Sequence, residues 1–207
     1  LIKIRFRVPR ESAGIELLAD LSRELVSAVQ TLSEMLGSSR DEDARLVEAM
    51  HASEGRSNEL FFRLLATMRS SIINRLPRED LYILGGSLNG AVEALATAAD
   101  VVVAFSLTHQ SPRAAELLEI IQRMSDNCIK VFTSFESLDD LEDVWVDSLR
   151  LAKRAEHTRI AWLKEMIDSG SPLTVNKQKL MAERLMAVVT HLRALSMHVG
   201  EIVIRES

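Results

Sequence analysis

Between Leu81 and Phe105 the residues Leu81, Leu84, Leu88, Ala91, Leu95, Ala98, Val102 and Phe105 recur at steps of three and four without a miss. A helix brings residues so spaced onto one face, whereas a strand would need alternation at every second position. The same stepping joins Leu18, Leu21, Leu25, Ala28, Leu32 and Met35 in one segment and Met181, Leu185, Val188, Leu192, Leu195, Val199 and Ile202 in another. A chain organised this way predicts long amphipathic helices that bury one stripe each. Aromatic residues make up only 4% of the 207 residues, with four prolines and eight glycines, which favours helix over sheet throughout.

Six helices are expected. Ser39 with Glu42 has capping-box spacing and opens a second stripe through Leu46, Met50, Ser53, Leu60, Leu64, Met68 and Ile72. Pro77, followed by Glu79 and Asp80, suits the first turn of a third helix, where the missing N–H costs nothing and acidic groups meet the positive end of the helix. Ser111-Pro112 opens a fourth, with Leu117, Ile121, Met124, Cys128, Val131 and Phe135 on one face. Ser137 and Asp140 open a fifth through Leu141, Trp145, Leu149 and Trp162, which ends at the break between Asp168 and Pro172. The fold class is therefore all-α.

The helices also echo one another. Leu88, Ala91, Val92, Leu95, Ala98 and Val102 match Leu185, Val188, Val189, Leu192, Leu195 and Val199, each pair 97 positions apart. Two tandem, pseudo-repeated three-helix bundles are expected, residues 1–109 and 110–207, each up-down-up because short connections favour antiparallel neighbours.

Several function classes are disfavoured. A net charge of −5 gives no general attraction to nucleic acid or to an anionic membrane surface. The single cysteine, Cys128, rules out a disulfide within the chain and a cysteine-rich zinc site, and suits a reducing, cytoplasmic setting. The apolar run from Leu81 to Leu107 is long enough to span a bilayer but carries Asn89, Glu93 and Asp100, so a buried helix is expected. The N-terminal "LIKIRFRVPRES" lacks the continuous apolar core and cleavage site of a signal peptide.

Candidate chemistry is sparse. Gly85, Gly86 and Gly90 lie inside a helix with no preceding strand, so they are expected to permit close helix packing and not to cradle phosphate. Glu48 and His51 form a single Glu-x-x-His pair, whereas carboxylate-bridged di-iron bundles need two. His109, His157, His191 and His198 show no ligand spacing with a carboxylate, and nothing has the form of a nucleophile elbow. Asn89 and Glu93 lie one turn apart, off the apolar stripe, on a face expected to point away from the core; Glu54 and Asn58 repeat the arrangement on the second helix. Four oxygen-bearing side chains on adjacent helices could meet around a hard cation, against the plainer reading of exposed polar residues.

Four segments, in order along nearly the whole chain, carry a resemblance: "FRVPRES" before a helix ending "EMLG", "LPREDLYILGGSLNGAVE", "DVWVDSLRLAKRAE" and the terminal "IVIRES". The chain resembles PhoU-like proteins, in particular the shorter group of accessory or regulatory partners of Pit-type phosphate transporters. The resemblance implies two three-helix bundles and Glu/Asp-x-x-x-Asp pairs that bind clustered metal ions. Carried over by position, those pairs fall on Glu54 with Asn58, Asn89 with Glu93, Ala152 with Glu156, and Met186 with Thr190. The second half keeps one carboxylate, and neither a methyl nor a thioether replaces a carboxylate for a hard cation. The expectation is a non-enzymatic cytoplasmic regulator of phosphate transport that acts by protein contact with a transporter or its regulatory component. It would be peripheral to a membrane at most, without nucleic acid, and plausible as a homodimer. No cofactor is expected beyond a divalent or iron-type ion at a residual site of Glu54, Asn58, Asn89, Glu93 and Glu156. The alternative is a metal-binding bundle protein or enzyme using Glu54 and Glu93 with Glu48 and His51.

Overall fold

The computed structural model describes residues 13–37, 43–70, 76–107, 111–133 and 138–206. Among these, six helices and no strand occur: α1 (Ala13–Gly37), α2 (Asp43–Ser70), α3 (Arg78–Ala104), α4 (Pro112–Thr133), α5 (Leu138–Ser169) and α6 (Pro172–Glu206). The apolar stripes of all six helices contribute to the core. Leu18, Leu25, Leu84, Leu95, Leu185 and Leu192 are all fully buried. Pro77 stands at the N-cap of α3 and not inside its first turn, its carbonyl accepting from the Leu81 N–H at 3.1 Å. The two capping boxes and the boundary at residues 109 and 110 lie outside the described residues in whole or in part.

Side-chain contacts fix the helix directions. Glu24 meets Ser53 and Arg56, and Asn89 meets Ser57, so α2 runs antiparallel to both α1 and α3. Asn127 meets Asp147 while Arg113 meets Glu165, and Trp162 meets Gln178 while Trp145 lies against Gly200, making α5 antiparallel to α4 and α6. Helices α1, α2 and α3 pack on one another, α5 packs on both α4 and α6, and the two groups join where α3 lies on α6 and α1 on α4. Asp80 contacts His198, and Phe105 contacts Lys177, so α3 and α6 are antiparallel too.

Helix α3 is therefore covered by α1, α2 and α6 at once, which explains its burial beyond a single stripe. Helices α3 and α6 are each long and apolar enough to cross a membrane by composition, yet 61% and 56% of their apolar windows are buried inside the protein. Their hydrophobicity is satisfied largely by packing, including their packing on each other.

Candidate functional site

The seam between α2 and α3 carries a connected polar network. Ser57, fully buried, donates from Oγ to Asn89 Oδ1 at 2.8 Å. The Asn89 amide nitrogen donates in turn to Asn58 Oδ1 at 2.9 Å and to Glu93 Oε1 at 2.8 Å. Because a carboxylate only accepts, the nitrogen and not the oxygen of Asn89 must face Glu93. Asn89 is only 7% exposed, which corrects the expectation that it points away from the core: α2 packs over that side of α3. Glu93 does reach the surface.

Glu54 is half-buried and turned to a different partner. Its carboxylate lies 3.3 Å from His51 Nδ1, and His51 Nε2 lies 3.1 Å from Asp100 Oδ1 on α3. The histidine is thus matched to carboxylates after it in the chain, while Glu48 stands exposed and takes no part.

These residues do not make a cage for clustered hard cations. The donor set is two carboxylates and two amides, and one amide aims N–H groups at the oxygens a cation would need. Among the described residues no group of three or more His, Cys, Asp and Glu is placed to hold a metal ion.

The α5–α6 seam gathers the other carried-over positions. Ala152, Glu156, Met186 and Thr190 all line one cleft of 420 Å³. Thr190 donates its hydroxyl to the Met186 carbonyl at 2.9 Å. Arg159, one turn along α5, hydrogen-bonds Glu156 and holds its carboxyl below the usual range. This set offers a methyl, a thioether, a hydroxyl bonded to its own helix and one carboxylate paired with Arg159.

The glycines of α3 are seats for neighbouring side chains. A Cβ added at Gly85 would come within 2.4 Å of Leu64 Cδ2, and one at Gly90 within 2.5 Å of the His191 ring. The first lets α2 close on α3; the second lets α6 do so. Gly86 meets only the edge of Phe61, at 3.9 Å.

The sequence reading missed a polar cluster built on the buried Asp80 and His198 where α3 meets α6. Asp80 accepts from both His198, at 2.9 Å to Nε2, and the Arg205 guanidinium. The other ring nitrogen of His198 lies 2.9 Å from Glu201. The available signal was the His-x-x-Glu spacing of His198 and Glu201, the reverse of the order used for a di-iron search. Asp80 itself reads from sequence as an ordinary acidic residue in a first turn. The two tryptophans differ: Trp162 is a core residue donating to Gln178 at 3.3 Å, whereas Trp145 is half-buried against Gly200 and its Nε1 has no hydrogen-bond acceptor among the described residues. Burial pushes the Cys128 thiol up to about 12, so it is a packing residue and no nucleophile.

Six helices arranged in this way define a PhoU-like fold. No protein-family model matches the sequence, and no curated protein matches it either. Among solved structures, a PhoU-like protein from Shewanella oneidensis MR-1 superposes with a TM-score of 0.76 at 12% identity, covering 93% of this chain and 99% of that one. The phosphate transport system regulatory protein PhoU from Streptococcus pneumoniae superposes with a TM-score of 0.61, also at 12% identity, covering 93% of this chain and 98% of that one.

Proposed function

We propose that the protein is a non-enzymatic regulator or accessory of phosphate transport that works inside the cell by docking its helical surfaces on a transporter or its regulatory component. The observation that carries this reading is the sharing of fold over 93% of the chain with a protein described as a phosphate transport system regulator. The chemistry of the two seams supports contact over catalysis. Ser57, Asn89 and Glu93 are engaged with one another and Glu156 with Arg159, and the lone cysteine is a buried thiol.

Two measurements test the reading. Tagged protein purified from its source organism under phosphate-replete and phosphate-starved conditions should bring down a phosphate transporter or its regulator in a phosphate-dependent amount. Equal recovery of unrelated proteins in both conditions, with no transporter component, sinks it. Elemental analysis of protein purified without chelator should find no stoichiometric iron, zinc or manganese. Stoichiometric metal that disappears in Glu54→Ala and Glu93→Ala would establish the metal-binding alternative instead.

A further inference from the structure

The cleft between α5 and α6 is an open groove, whereas the middle of the α2–α3 seam is filled by the Asn89 network. Its floor is Ala152 and Val189, both buried, and Met186 and Met197 stand at its two ends on α6. The eleven-residue step from one methionine to the other spans about 16 Å, or three helical turns. Two antiparallel helices therefore leave a trough as long as three turns of a third helix, whose apolar stripe can lie between the ridges. Methionine suits both ends, since its unbranched, polarizable side chain adapts to whatever shape packs on it.

Charge identifies what the trough would accept. Lys153 on α5 and Arg193 on α6 line it, one from each wall, and both are exposed. Among the described residues neither has an ion pair or hydrogen bond. Glu156, the only carboxylate in the lining, is already engaged by Arg159. The groove thus presents an apolar floor between two uncommitted cations, in a chain whose overall charge is −5.

From this we infer that the α5–α6 cleft receives an amphipathic helix of a partner protein, with an apolar stripe flanked by Asp or Glu that pairs with Lys153 and Arg193. This rests on the proposal that the protein works by docking and adds the face and the chemistry of the partner. A small anionic amphiphile or a second copy of the chain would be a different occupant.

The probe is a pair of synthetic amphipathic helical peptides with the same leucine stripe, one flanked by Glu and its twin by Lys, followed by fluorescence anisotropy. The Glu-flanked peptide should bind and its twin should not. Lys153→Glu with Arg193→Glu, both at exposed positions, should weaken the Glu-flanked peptide by at least about tenfold and transfer the preference to the Lys-flanked twin. Methyl resonances of Met186 and Met197 should shift on binding. The inference is overturned if the peptides bind alike, if the charge reversal leaves the preference unchanged, or if the shifts fall on other methionines. It is equally overturned if dodecanoate binds where neither peptide does, or if the double variant instead abolishes self-association. No transporter is present in this assay, so peptide binding without transporter recovery would refute only the phosphate-transport reading.

Discussion

The α2–α3 and α5–α6 seams each join a second helix to a third, and they finish in opposite ways. On the first, Asn89 fills the seam with an amide that gives to Asn58 and Glu93 and takes from Ser57. On the second, Ala152 and Met186 supply no polar group, and a cleft remains whose lining cations, Lys153 and Arg193, have no ion pair among the described residues. The contrast teaches that polar side chains along a helix seam can serve opposite ends. Paired across the seam they fasten two helices together; left unpaired beside an apolar floor they await a partner.

The largest expected effect comes from breaking the fastened seam. Asn89→Leu strips the buried Ser57 hydroxyl of its acceptor and should cost about 2–3 kcal/mol, read as a lower urea midpoint with an unchanged slope. An unaffected midpoint would mean the amide network is incidental. Asn89→Asp should cost less, about 1–2 kcal/mol in EDTA at neutral pH, because it sets a second carboxylate against Glu93 at hydrogen-bond distance. Manganese should restore the thermal midpoint of that variant and leave the wild type unmoved; a wild-type rise would show that the amide seam already accepts a cation.

Filling the open seam should matter less. Thr190→Leu, at an exposed position of the lining, projects into the cleft and should change stability by no more than about 0.5 kcal/mol in either direction, while blocking the acidic peptide. A loss comparable to that of Asn89→Leu would mean that the cleft is not open space. The smallest effect is a pH dependence. Arg159 depresses the Glu156 carboxyl, so its contribution is fully present above the ordinary glutamate value and is lost as pH falls through the depressed one. The stability gap between wild type and Arg159→Ala should therefore be steady near neutrality and close on acidification, as followed by thermal melts across pH.

Much of the helical plan was legible because burial of one stripe imposes a period that composition does not disguise. Every stripe residue named for α1 and α6 is buried, and the break at Asp168 to Pro172 coincides with the end of α5 and the start of α6. Phe105 marks where the period outran the helix: it lies just past the last turn of α3 and is exposed. The site was less legible, since a single stripe per helix assumes one buried face. Helix α3 has three neighbours, so Asn89, off its stripe, is buried all the same. The Asp80 and His198 pairing was out of reach for another reason. Its partners lie 118 positions apart, and no local period connects them.

That separation has a bearing on how the chain comes together during synthesis. When α1, α2 and α3 have left the ribosome, the surfaces of α1 and α3 that will lie on α4 and α6 are still uncovered. Asp80 at the start of α3 gains His198 and Arg205 only when residues 118 and 125 positions later have emerged. The first three helices must therefore wait, incompletely sheltered, for the last turns of α6. A nascent chain stalled before His198 should be open to proteases along α3, and releasing the stall should close it.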